Sequence, residues 1–329
     1  MNMTSQTIGI TTTVPVEILY AAGRPPVDLN NSFITAADPQ VLVERAEHAG
    51  FPRSLCSWVK GIYTAVHDQK IQTMIGVVQG DCSNTRALME VLQSEGIRTI
   101  EFAFPHDRDP TALDEELKML ATALGTTKRS AQKIKARLDR IRAKVERLDH
   151  LTWTTHQVTG EENHLWNIQC SDFRSNPDVF ENELDAFLDE AIKRPEHTPP
   201  LRLAYIGIPP ICTDIYASLN EFDAEVIFNE MQRQFAMPYH TETLVEQYCR
   251  YTYPYDIFYR LDDIEYECRR RNVDGVIHYV QSFCFRQIQD RIVRERLDLP
   301  ILTLECDRPG PLEARNRTRL EAFLEMLRA

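Results

Sequence analysis

Eight cysteines have the widest chemical reach of any residues in this sequence: Cys56, Cys82, Cys170, Cys212, Cys249, Cys268, Cys284 and Cys306. Thiolates ligate soft metals and iron–sulfur clusters, and thiols pair as disulfides in oxidising compartments. Residues 1–10 are polar, with neither the basic segment nor the apolar core of a secretory signal, so reduced thiols in a cytoplasm are expected. The cysteines are scattered singly, with no C-x-x-C pair, which excludes zinc-ribbon and ferredoxin-type spacing. Any metal they hold must be gathered by the fold.

Three of the eight stand where a fold gathers ligands. Residues 74–79 read as a buried strand, residues 83–95 as a helix ended by Gly96, and residues 99–104 as a second strand. Cys82 falls between that first strand and its helix. Cys284 repeats the placement after the strand at 275–280, ahead of a helix at 285–296, and Cys56 precedes another helical run. In open parallel α/β sheets ligands bind beyond the carboxyl ends of the strands, where helix N-termini favour a thiolate. The other five cysteines read as small core residues, with Cys306 at the end of a strand.

The rest of the chain supplies the frame. At 329 residues, with 43% hydrophobic and 26% charged residues, it is long enough for two ordinary domains with real cores. The strand–helix rhythm implies an α/β fold of two doubly wound parallel-sheet lobes, Rossmann- or flavodoxin-like. The divisions are an N-terminal α/β lobe at 1–109, a helical insertion at 110–197 and a C-terminal α/β lobe at 198–329. Further strands are expected at 203–208, 224–228 and 300–304, and helices at 261–271 and 315–327. Within the insertion, Ala131, Ile134, Leu138, Ile141, Val145 and Leu148 make one helical stripe. The basic residues around it, from Lys128 to Arg147, read as a solvated exterior or as a docking face for an acidic protein or for phosphates. A net charge of −12 argues against a nucleic-acid binder, and no run approaches the roughly 20 apolar residues of a membrane span.

The motifs themselves are familiar. The stretches 14–23, 55–61 (Leu-Cys-Ser-Trp-Val-Lys-Gly), 80–84 (Gly-Asp-Cys-Ser-Asn), 226–230, 233–238, 274–286, 300–307 and 319–325 resemble, in order, the 2-hydroxyacyl-CoA dehydratase and benzoyl-CoA reductase family, in particular components like the D-component of 2-hydroxyglutaryl-CoA dehydratase. The resemblance runs from residue 8 to the C-terminus and is weak only in the helical insertion. It implies a [4Fe–4S] cluster on Cys56, Cys82 and Cys284, the same three that strand-end position isolates. It further implies a lyase or oxidoreductase that passes one electron to an acyl-CoA thioester, giving a ketyl radical. That electron comes from a separate ATP-dependent iron–sulfur activator. No G-x-x-x-x-G-K-[ST] occurs here, so ATP use falls to that partner. A homologous second subunit or a homodimer is implied as well.

Around these motifs, Ser57, Asp81, Asn84, Gln281 and Ser282 are candidates either for hydrogen bonding to the cluster or for turn and cap chemistry. Glu230, Glu101 and His278 are candidate proton carriers, and His278 reads equally as a hydrogen-bonded core histidine. Two alternatives stay open. One is a double-cubane-cluster reductase of small molecules using Cys249 or Cys306, against which stands the cysteine-free, tyrosine-rich segment 251–259. The other is a non-catalytic iron–sulfur electron carrier.

Overall fold

The run Thr-Met-Ile-Gly-Val-Val-Gln at Thr73–Gln79 forms a strand because apolar, β-branched side chains suit a sheet covered on both faces. The computed structural model describes residues 7–329 and contains two four-stranded sheets. The first holds β1 (Ile8–Ile10), β2 (Pro26–Asp28), β3 (Thr73–Gln79) and β4 (Arg98–Ala103), in the order β2-β1-β3-β4. The second holds β5 (Leu201–Gly207), β6 (Ala224–Asn229), β7 (Gly275–Val280) and β8 (Ile301–Glu305), in the order β6-β5-β7-β8. Every neighbouring pair is parallel. Each sheet repeats one winding: the second strand is laid on one side of the first, and the third and fourth on the other. These are the two doubly wound α/β sheets expected from the sequence.

By packing, the described chain forms two compact units. One comprises residues up to Ala143 with Gln169–Asn182 and Met237–Asp256, and the other Lys144–Ile168, Glu183–Ala236 and Ile257–Ala329. In the first unit, Val59, Ile62 and Val66 of the helix Ser57–Asp68 pack with Met74 and with Leu88, Met89 and Leu92 of the helix Ser83–Ser94. Gly61 is required there, since a Cβ at that position would lie 2.2 Å from the Phe33 ring. In the second unit the core is built from Ala204, Ile206, Phe228 and Val276 of the sheet against Leu261, Ile264 and Cys268. Burial in that core pushes the Cys268 thiol up to about 12, which makes it an inert core residue.

Between β4 and β5 every element is helical. The helix Lys128–Thr154 buries Ala131, Leu138, Ile141, Val145 and Leu148, as its stripe requires. Its basic residues do not all form a solvated face. Lys135 is buried, bonded to Asp139 at 2.6 Å and to the Thr241 carbonyl at 2.7 Å, and Arg142 is buried against Glu17 at 2.8 Å. Arg137 pairs with Asp178 and Lys128 with Asp114, so much of the positive charge is neutralised internally. Sequence periodicity places the stripe but does not reveal acids arriving from distant segments.

Glu17 shows the strength of that neutralisation. Its burial alone opposes ionisation, yet Arg142, Gln247 and Tyr248 together hold it below the ordinary carboxylate range. The second unit has a counterpart in Arg271, which is fully buried and bonds Asp149, Glu267 and the Ile227 carbonyl. Asn163 ties Asp149 and Thr152 to Asn229 at the end of β6.

Asp172 in the first unit behaves in the opposite way. It precedes three successive residues with left-handed backbone, Phe173, Arg174 and Ser175, and it accepts the amides of Asp28 and Arg174 at 2.8 Å each. Burial and the neighbouring Asp28 carboxylate outweigh those donors and push its pKa up to about 7.

Two outcomes follow from this packing. Gly61→Ala is expected to lower stability by roughly 1–3 kcal/mol through overpacking, measured as a drop in the thermal midpoint. For Asp172, the folded state holds the proton more tightly than the unfolded chain. Its contribution to stability is therefore greatest below pH about 4 and falls as pH rises to about 7. Asn can accept only one of the two backbone amides that Asp172 holds, so Asp172→Asn should lower the thermal midpoint, and by less at pH 8 than at pH 5; an equal change at both would refute the assignment.

Candidate functional site

Cys82 is held by a turn that demands glycine at position 80. β3 ends at Gln79, and Gly80 then adopts φ +97°, where a Cβ would lie 2.7 Å from Pro254. Asp81 follows and is bonded on both oxygens, by Tyr253 Oη at 3.2 Å and by Thr85 Oγ1 at 3.1 Å. Tyr253 itself stacks on Tyr251, with planes 13° apart. Cys82 is thereby set as the N-cap of the helix Ser83–Ser94, and its sulfur accepts the Asn84 amide at 3.4 Å. Of the two candidates here, Asp81 fastens the turn, and the Asn84 backbone donates to the thiol.

Cys56 is also an N-cap, heading the helix Ser57–Asp68. One turn on, Lys60 is only 1% exposed, and its ammonium reaches back to the Arg53 carbonyl at 3.1 Å and Glu47 at 2.8 Å. This ties the Pro52–Leu55 turn to the helix that it feeds. Ser57 is buried in the first turn. Trp58 packs edge-on to Phe33, and its buried indole N–H has no acceptor among the described residues.

In the second unit Cys284 caps the short helix Phe285–Ile288, which Gln289 joins to the helix Asp290–Arg296. A single helix over 285–296 was expected; it is divided at Gln289. Phe283, just before the cysteine, has φ +62° and is 86% exposed, an unusual setting for a bulky side chain. The loop is fixed from β8: the Ser282 amide donates to Asp307 at 2.7 Å, and Ser282 Oγ donates to Glu305 at 3.0 Å. Gln281 is buried, and its carbonyl accepts the Cys284 amide at 3.2 Å.

Cys82 and Cys284 thus occupy the same topological position. Each follows the third strand of its sheet, β3 or β7, beside the point where strand order reverses. All eight cysteines are described, and none is in a disulfide. Among the described residues, no three His, Cys, Asp or Glu side chains are gathered at metal-binding distances.

The candidate proton carriers have three different settings. Glu230 is buried in the second unit, bonded by Arg260 at 3.1 and 2.9 Å and by the Gly207 amide at 3.1 Å. Burial opposes its ionisation, but Arg260 prevails and holds it below the ordinary range. His278 is buried on β7 with Nδ1 2.6 Å from Asp290. Asp290 is held far down by bonds from His278, Thr303 and Arg294, which overcome the cost of its partial burial. Gly207 lies between these two groups, since a Cβ there would lie 3.3 Å from the His278 ring. Glu101, in the first unit, is exposed on the edge strand β4.

Sequence reasoning missed Lys60, Tyr253, Pro254, Glu305 and Asp307 as the residues that hold the cysteine loops. Lys60 lies inside the Cys-Ser-Trp-Val-Lys motif, so a signal was present. Tyr253 and Pro254 lie in the tyrosine-rich segment, whose role no spacing discloses.

The model of one family, 2-hydroxyglutaryl-CoA dehydratase, D-component, matches residues 11–327, and the chain belongs to that family of dehydratase components. No curated protein matches the chain. No helix among the described residues is long and apolar enough to cross a membrane.

Tyr253→Phe removes a hydrogen bond to the Asp81 carboxylate, worth about 1.5 kcal/mol. Amide exchange at residues 80–85 should accelerate about tenfold while the rest of the first unit is unchanged. Unaltered exchange there would show that Gly80–Pro254 packing alone holds the turn.

Proposed function

We propose that this chain is the cluster-bearing component of a 2-hydroxyacyl-CoA dehydratase or acyl-CoA reductase, with Cys56, Cys82 and Cys284 ligating one [4Fe–4S] cluster. The observation that carries this reading is the shared setting of the three thiols: each is the N-cap of a helix. The first amides of a helix lack intrahelical acceptors, and its N-terminal dipole favours an anionic thiolate. The donor set fits the group, because soft thiolates are the usual ligands of such clusters. The buried Trp58 N–H, two residues beyond Cys56, is a further unused donor.

When bound, a cluster with three protein ligands leaves one iron open to act as electron donor and Lewis acid toward a thioester carbonyl oxygen. The chain's own residues have distinct tasks. The Asn84 amide, donating to Cys82 Sγ, stabilises negative charge on that sulfur. Lys60, Asp81 and Tyr253, together with Glu305 and Asp307, hold the three loops so that the thiols do not reorganise as charge changes. Of the candidate proton carriers, Glu230 has both oxygens engaged by Arg260, whereas His278 contacts Asp290 through Nδ1.

The substrate class is an acyl-CoA thioester, and the electron is supplied by an ATP-dependent iron–sulfur activator. A second, homologous subunit or a second copy of the chain completes the enzyme.

Anaerobic purification with iron and sulfide analysis tests the reading. About four irons per chain are expected, with a reduced-state EPR signal that changes on adding acyl-CoA. Cys56→Ser, Cys82→Ser and Cys284→Ser should each lower the iron content, while Cys170→Ser should not. About eight irons per chain would indicate a double cluster instead. A normal cluster signal that acyl-CoA leaves untouched would indicate an electron carrier.

A further inference from the structure

Two cysteines outside the proposed ligand set meet in the second unit. Cys212 lies in the loop after β5, where its backbone forms an isolated parallel bridge with Gly310 and the Thr213 amide donates to the Gly310 carbonyl at 2.9 Å. That bridge sets the loop beside the segment leaving β8, on which Cys306 sits. The two thiols lie close enough to govern each other's ionisation. Asn316 Nδ2 of the helix Ala314–Arg328 also donates to Cys306 Sγ, at 3.3 Å. Tyr279 Oη is held beside them, accepting the Ile211 amide at 3.0 Å and donating to the Cys306 carbonyl at 3.2 Å.

The pair is asymmetric. The neighbouring Cys212 thiol, helped by Asn316 and Tyr279, eases ionisation of Cys306 against the cost of its partial burial. The presence of Cys306 and burial together keep the proton on Cys212. Cys212 is 4% exposed, whereas Cys306 is partly open to solvent. One cysteine is therefore partly exposed and activated, and its neighbour is sheltered. Cys170 and Cys268, buried and each pushed up to about 12, have neither property.

We propose that Cys306 and Cys212 are a redox-active dithiol that reacts with low-molecular-weight disulfides to form an intramolecular disulfide. The Cys306 thiolate attacks one sulfur of the small disulfide, forming a mixed disulfide and expelling one thiolate, which takes the proton from Cys212. The Cys212 thiolate then attacks Cys306 Sγ and expels the second thiolate, which is protonated from solvent. Two protein thiols are oxidised, and one small disulfide is reduced to two thiols. Cys306 lies between Glu305 and Asp307, the acids that fasten Ser282, so the bridge would tether the segment supporting the Cys284 loop. The pairing is independent of the cluster assignment.

The test treats the full-length, anaerobically reduced protein with glutathione disulfide, followed by alkylation in denaturant with an iron chelator and peptide mapping. A Cys212–Cys306 crosslink is expected, with the thiol titre falling by two from the eight of the sequence. Cys212→Ser should trap glutathione on Cys306 as a stable mixed disulfide. Cys306→Ser should slow glutathione capture at Cys212 at least tenfold relative to capture at Cys306 in the Cys212→Ser protein. A wild-type protein carrying only scattered mixed disulfides, or one whose Cys306 reacts no faster than Cys268, would overturn the proposal.

Discussion

A parallel sheet forces every strand to end at the same edge, and that geometric constraint organises both units. Parallel neighbours need a crossover, so each strand end feeds a loop and then a helix whose N-terminus faces the same edge. Where winding reverses, between β1 and β3 and between β5 and β7, the loops from adjacent strands depart in opposite directions and leave room between them. Cys82 and Cys284 are placed by this rule and not by local sequence. Two loops with unrelated residues, Gly-Asp before one and Ser-Phe before the other, deliver the same outcome: a thiol at the first turn of a helix.

Around this frame the protein spends buried charge freely. Glu17–Arg142 in the first unit and Asp149–Arg271–Glu267 in the second are nearly dry ion pairs with most of their hydrogen-bonding capacity used. Such pairs add little net stability over apolar substitutes, but losing one partner leaves an uncompensated charge, a penalty of roughly 3–5 kcal/mol. Their consequence is specificity of packing. Arg271 fixes the helix Ile257–Arg270 against β6 through the Ile227 carbonyl, and Glu17 fixes the helix Leu244–Arg250 through Gln247 and Tyr248.

Much of the sheet architecture is legible in the sequence, because long apolar runs bounded by turn residues have few other uses. The strands at 73–79, 98–103, 201–207, 224–229, 275–280 and 301–305 coincide with such runs to within a few residues. β1 and β2 do not announce themselves. Each has three residues, too few for a pattern, and β2 begins with a proline that only its edge position permits. The strand-end position of Cys82 and Cys284 was readable for the same reason. What supports them was not. Tyr253 is bonded to Asp81 across 172 residues of chain, and Asp307 reaches Ser282 from the segment that follows β8. Periodicity carries no information about such partners. The basic helix misled for a related reason, since the acids facing Lys135 and Arg142 are not all on that helix.

The Gly80–Pro254 contact also has a bearing on biosynthesis. A ribosome delivers the strand, turn and helix that present Cys82 long before Tyr253 and Pro254 leave the exit tunnel. By then β5 and β6, which belong to the second unit, have already been made. The first unit cannot mature before residues 253 and 254 have emerged, and its cysteine turn stays unbraced until then. A cofactor loaded earlier would meet a loop still searching its conformations, so the fold itself sets the earliest moment for assembly.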